Sequence, residues 1–100
     1  MNTKRKGSRA EHRAIKILEA SGYSCTRAAA SLGVFDVVAI GARDVRLIQV
    51  KSGDRCSISA VEREAIRTFV CPINVSREIW KFHDGVRNPI IEHVRSTHGA

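Results

Sequence analysis

Apolar and polar positions follow a strand rhythm over Phe35–Ile40 and again over Val45–Lys51, with Gly41-Ala42-Arg43-Asp44 between them. β-Branched and aliphatic residues in this rhythm predict two short strands joined by a tight polar turn. An even loop centred on Ala42 and Arg43 pairs Ile40 with Val45, Val38 with Leu47 and Asp36 with Gln49. Because side chains alternate across a strand, Asp36, Val38 and Ile40 then share a face with Leu47, Gln49 and Lys51.

The flanking segments change period. Ser8-Arg9-Ala10-Glu11 has the S-x-x-E form of a capping box, and Ala10, Ala14, Ile17, Leu18 and Ser21 follow at helical spacing, with Gly22 as a left-handed stop. Tyr23–Arg27 reads as a short strand and Ala28–Val34 as a loop of small residues. Ser59-Ala60-Val61-Glu62 repeats the capping signature, and Val61, Ala65, Ile66, Phe69 and Val70 give the apolar face of a second helix that Pro72 ends. Short strands are expected at Ile73–Val75 and Glu78–Phe82, and an edge strand at Ile90–Val94 after Pro89. The order α-β-β-β-α-β-β predicts an α+β fold, a central mixed sheet with a helix on each side. Residues 1–100 read as one domain, with 1–7 a flexible basic arm and 96–100 a frayed tail.

Composition narrows the function. Hydrophobic residues make up 43% and charged residues 27%, ordinary for a globular chain. No apolar run approaches the roughly 20 residues that span a bilayer, and the first residues lack the apolar core of a signal peptide. Cys25, Cys56 and Cys71 are odd in number and form no C-x-x-C pair, so free thiols in a reducing, cytoplasmic setting are expected. His12, His83, His93 and His98 show no metal-ligand spacing. The formal charge of +7 points to a polyanionic partner, nucleic acid first, with no membrane and no small-molecule cofactor. Lys4, Arg5 and Lys6 read either as a solvated terminus or as a phosphate-contacting arm.

The hairpin also carries candidate chemistry. Asp36, Gln49 and Lys51 converge on a small volume, and the Asp36 carboxylate, the Gln49 amide oxygen and the Val50 backbone carbonyl together suit a hard cation such as Mg²⁺. Lys51 would lie beside it, near an anion or a water. The same residues are equally compatible with polar groups at the frayed end of a hairpin. Glu11 is accounted for by capping, yet it faces Asp36 if its helix packs across the hairpin. Ser31 and Gly33 would let a phosphate approach the loop, or serve only to keep the loop tight.

Lys6-Gly7-Ser8-Arg9-Ala10-Glu11 opening a helix, then a Ser-x-Gly loop, Asp36, and Gln49-Val50-Lys51-Ser52 together resemble the PD-(D/E)xK nuclease superfamily. The likeness, over residues 4–70, is to the archaeal-type Holliday junction resolvases, small homodimeric endonucleases that cut four-way DNA junctions with Mg²⁺ during recombination and repair. It implies a restriction-endonuclease-like α/β/α domain. It further implies that Glu11 helps hold metal or water, that Asp36 is the central ligand, and that Lys51 lies near the attacking water. Ser31 would be a phosphate-contacting hydroxyl, and Lys4, Arg5, Lys6, Ser8, Arg9, Arg27 and Ser52 would be DNA contacts. Two positions depart from the pattern: Phe35 stands in place of Pro, and Gln49 in place of Glu. The second keeps an oxygen ligand but removes a negative charge, so cation affinity should fall; other branches of the superfamily use Q-x-K.

The expectation is therefore a DNA endonuclease dependent on Mg²⁺ or Mn²⁺, acting on branched DNA as a homodimer. Alternatives are a restriction- or homing-type branch, a binding module whose chemistry lapsed with Gln49, and a basic protein-interaction subunit. Trp80, Phe82 and Phe69, with the second helix, suit either a dimer contact or the core.

Overall fold

The structure is a computed structural model that describes residues 3–28 and 32–95, with side chains from Arg9 onward. Helix α1 (Thr3–Ala20) is followed by strands β1 (Ser24–Arg27), β2 (Val37–Ile40) and β3 (Val45–Gly53), helix α2 (Ala60–Thr68), and strands β4 (Val75–His83) and β5 (Ile90–His93). The strands lie side by side in sequence order in one five-stranded sheet. β1–β2, β2–β3 and β4–β5 are antiparallel, whereas β3 and β4 run parallel from Val45 opposite Val75 to Gly53 opposite His83. Parallel neighbours need a crossover connection, and α2 provides it.

The central hairpin keeps the expected pairing, with Ile40 opposite Val45 and Val38 opposite Leu47. Its turn closes through the Gly41 amide donating to the Asp44 carbonyl at 2.8 Å. The Tyr23 hydroxyl donates to the Asp44 carboxylate at 3.0 Å, and the Tyr23 ring lies so close that a Cβ on Gly41 would come within 2.7 Å of it. Gly22 takes φ +94, the left-handed conformation that ends α1.

Alternation along the strands builds two apolar layers. Val37, Ala39, Ile48, Val50, Trp80 and Phe82 face α1, which meets them with Ala10, Ala14 and Leu18. The small Ala10 and Ala14 let the helix sit close to the sheet. On the other side Phe35, Leu47 and Ile79 pack against Ile66 of α2, and the Phe69 ring meets Phe35 edge-on at 5.1 Å. The helix is thus placed on each side, as the element order required.

Several local expectations are corrected. α1 starts at Thr3, so Ser8 lies inside the helix rather than at its N-cap, and residues 3–7 belong to the helix rather than to a flexible arm. Lys and Arg are good helix formers, and one interior glycine, Gly7, costs only about 1 kcal/mol. Ile17 remains 37% exposed and Val61 80% exposed, so the apolar stripe of each helix is narrower than its periodicity implied, and α2 ends at Thr68, leaving Val70, 79% exposed, beyond it. The separate strand expected at Ile73–Val75 is absent: Ile73 and Asn74 form a turn, closed by the Val75 amide donating to the Pro72 carbonyl at 3.1 Å, and β4 begins at Val75. Trp80 and Phe82 are buried, which assigns them to the core rather than to a dimer contact.

At the start of β4 the α1-side layer contains a buried acid. Glu78 is fully buried and receives two hydrogen bonds from Arg46, both 2.8 Å, one from the Ser76 hydroxyl at 2.6 Å and one from the Trp80 indole at 2.8 Å. The Arg46 guanidinium also stacks over the Tyr23 and Trp80 rings. Burial pushes the Glu78 pKa up, but these hydrogen bonds and the Arg46 charge outweigh it and leave the carboxyl below its ordinary range.

Candidate active site

The residues of interest collect where β2 begins and β3 ends, with Gln49 and Lys51 on the opposite face of the sheet from Glu78. Asp36 immediately precedes β2, and there the hairpin ladder changes. The last regular pair is Val37 with Ile48; the Asp36 amide then also donates to the Ile48 carbonyl, at 2.8 Å. Its carboxylate fills the gap, since Oδ2 accepts from the Val50 amide at 2.8 Å. The expected face-to-face pair of Asp36 and Gln49 is thus replaced by a carboxylate bonded to the backbone one residue further along.

Burial pushes the Asp36 carboxyl pKa up; the Val50 hydrogen bond and Lys51 pull it down, and the nearby charges of Glu11 and Glu62 raise it further, leaving it above the ordinary value. A half-buried acid that feels two other acids and a single lysine is left short of positive charge, the condition that a divalent cation relieves. Gln49 is 6% exposed, and its Oε1 is a buried acceptor with no hydrogen-bond partner among the described residues. An orphaned buried oxygen costs roughly 1–3 kcal/mol, so it too favours a ligand that takes its lone pairs. Val50 turns its side chain into the α1-side core. An oxygen set of Asp36, Gln49 and the Val50 carbonyl fits the chemistry of Mg²⁺ or Mn²⁺.

Glu11 is committed elsewhere. Its Oε1 accepts from the Arg27 Nε at 2.8 Å. Lys51 Nζ donates to Glu62 Oε2 of α2 at 2.8 Å. With these pairings in place, no three His, Cys, Asp or Glu side chains among the described residues lie together as a metal cluster. Of the candidate DNA contacts, Arg9 is exposed and Ser52 half-buried beside Lys51. Lys4, Arg5, Lys6 and Ser8 lie on α1, their side chains outside the described residues, and Ser31 lies outside them altogether.

Glu62 had no assigned part in the hairpin chemistry, because its place in a capping box already accounted for it. The available signal was Lys51 itself: its same-face neighbour on β3, Gln49, carries no charge, so its counter-ion had to come from another element.

A family model for archaeal Holliday junction resolvases (Hjc) matches residues 2–77. The chain belongs to this family. The resolvase is similar to the solved structure of Archaeoglobus fulgidus Hjc, described as a Holliday junction resolvase from an archaeal hyperthermophile. The TM-score is 0.71 at 25% sequence identity, covering 89% of this chain and 73% of that one. No curated protein matches the sequence. The resolvase is a DNA endonuclease that acts on junctions. Among the described residues no helix is long and apolar enough to cross a membrane.

Proposed function

We propose that this single-domain resolvase is a divalent-metal-dependent enzyme that hydrolyses phosphodiester bonds in four-way DNA junctions, in the cytoplasm and as a homodimer. The observation that supports it most is the pairing of a half-buried Asp36, its pKa raised, with the orphaned Gln49 oxygen at one end of the sheet. Asp36, Gln49 and the Val50 carbonyl would hold the ion, with Glu11 available once it leaves Arg27. Bound Mg²⁺ or Mn²⁺ supplies Lewis acidity toward the scissile phosphate and a water of lowered pKa. Lys51 carries three N–H donors, suited to orienting a water and to offsetting charge that develops on the phosphate oxygens. The Val50 amide keeps the Asp36 carboxylate oriented before the ion arrives. Lys4, Arg5, Lys6, Arg9 and Arg27 are proposed to follow the DNA backbone, and Ser8, Ser31 and Ser52 to donate to phosphates.

Cutting a two-fold symmetric junction on opposing strands requires two equivalent sites, which a C2 dimer supplies. The exposed Val61, Val70 and Ile73, on and just beyond α2, are the proposed contact. The test is a cleavage panel of four-way, flapped and linear DNA with Mg²⁺ or Mn²⁺, with Asp36→Ala and Lys51→Ala as controls. The expected result is cleavage of the four-way junction by the wild type and binding without cleavage by both variants. Binding without cleavage by the wild type as well, with either metal, would overturn the proposal in favour of a lapsed binding module, the reading that the amide at position 49 favours.

A further inference from the structure

Lys51 and Gln49 lie on one face of β3, two residues apart, where an acid at position 49 would be the nearest counter-charge for the ammonium. That neighbour is instead a buried, uncharged amide whose oxygen has no partner among the described residues. The ammonium reaches across to α2, where Nζ donates to Glu62 Oε2 at 2.8 Å. Glu62 is itself fixed from behind. Its Oε1 accepts from the Ser59 amide at 3.1 Å, and its own amide donates to the Ser59 hydroxyl at 3.0 Å. One carboxylate oxygen therefore anchors the start of the helix while the other anchors the lysine, and the rigid first turn of α2 sets where the ammonium stands.

We propose that Glu62 is a positioning residue of this site, holding Lys51 in place with the negative charge that β3 lacks at position 49. The role rests on the reading of Lys51 as the group that acts at the scissile phosphate. It makes Gln49 and Glu62 a linked pair, the counter-charge of the lysine having its seat on the crossover helix instead of on the strand.

Glu62→Gln isolates the charge, because glutamine serves at this place in a capping box as glutamate does and keeps the helix start satisfied. Two measurements on the full chain read the result: the rate at which an amine-reactive succinimidyl ester labels Lys51, followed by peptide mass spectrometry, and kcat against KM on a four-way junction. In Glu62→Gln, Lys51 labelling is expected to rise several-fold, and kcat to fall about ten- to hundredfold with KM little changed, as for other groups that orient a working side chain. Adding Gln49→Glu to that variant should restore both. Glu64→Gln, on the exposed side of the same helix, should leave both as in the wild type. The proposal is overturned if Glu62→Gln leaves labelling or kcat unchanged. It is equally overturned if the loss of kcat comes with a lowered Tm and is not restored by Gln49→Glu. Should the wild type cleave nothing, the labelling still reports on the Glu62–Lys51 contact, so a failure of the nuclease reading is distinguished from a failure of this one.

Discussion

Gln49→Glu offers a direct test of whether an ion belongs beside Asp36. The substitution changes no heavy-atom count, but it places a carboxylate at a position only 6% exposed, close to an acid whose pKa is already raised. Two carboxylates at the roughly 5–8 Å spacing of neighbouring cross-strand side chains repel by roughly 2–3 kcal/mol at an effective dielectric of about 20. Proton uptake by one of them relieves part of this, at about 1.4 kcal/mol for each pKa unit. A net destabilisation of about 2 kcal/mol in EDTA is therefore expected, which lowers the Tm of a chain this size by roughly 10 °C. With excess Mg²⁺ or Mn²⁺ the sign of the effect reverses, because the added carboxylate becomes a ligand. A hundredfold tighter site stabilises the folded state by about 2.7 kcal/mol more than the wild-type site does. Thermal melts of both proteins, each with EDTA and with millimolar metal, give the four numbers required. A gap between the two proteins that is the same with and without metal would refute the reasoning, since no ion would then be reaching position 49.

Two further predictions concern pH and the buried acids. Asp36 has a folded pKa above its unfolded value, so it favours folding less as pH rises through that interval; Asp36→Asn should stabilise the metal-free protein at neutral pH, with the gain gone below about pH 3, where both forms are uncharged. Paired urea titrations at the two pH values check this, and an equal gain at both would contradict it. Glu78 is the opposite case, its folded pKa lowered, so its contribution is present above the ordinary carboxylate pKa and is lost as pH falls through the folded value. Glu78→Gln should cost about 2–4 kcal/mol at neutral pH, because the half-buried Arg46 loses the charge of its partner, and the deficit should shrink in acid, as urea midpoints across a pH series would show.

What could be read from the residues in advance was the part set by local periodicity. The strand alternation and the Gly41–Asp44 turn were enough to give the pairing of Val38 with Leu47, and the helix order gave a helix on each face of the sheet. The S-x-x-E signature succeeded at Ser59 and failed at Ser8 for one reason. A capping box acts only where the helix begins, and the residues before Ser8 continue a helix, whereas Ser59 follows a loop. The shift at Asp36 was not legible, because a backbone amide competing for a carboxylate leaves no trace in residue spacing. The Glu62 contact was hidden for a different reason: a carboxylate has two oxygens, and the pattern accounted for only one. Glu78 left a faint signal, an acid on the same strand face as the apolar Trp80 and Phe82, but its partner Arg46 lies 32 positions away and becomes its neighbour only when β3 and β4 run parallel.

The Arg46–Glu78 clamp has a bearing on the opposite end of its strand. Were β3 to slide by a single residue against β4, every side chain would change sides, and the ammonium of Lys51 would be driven under α1 among Val37, Leu18 and Trp80. Such a slide would also tear the guanidinium from its carboxylate, carrying Arg46 to the other face and leaving Glu78 without its counter-charge in a dry layer. Its fork of two hydrogen bonds therefore acts as a peg in a sliding bolt, and drift in the working end of the strand is prevented by chemistry that never meets the DNA.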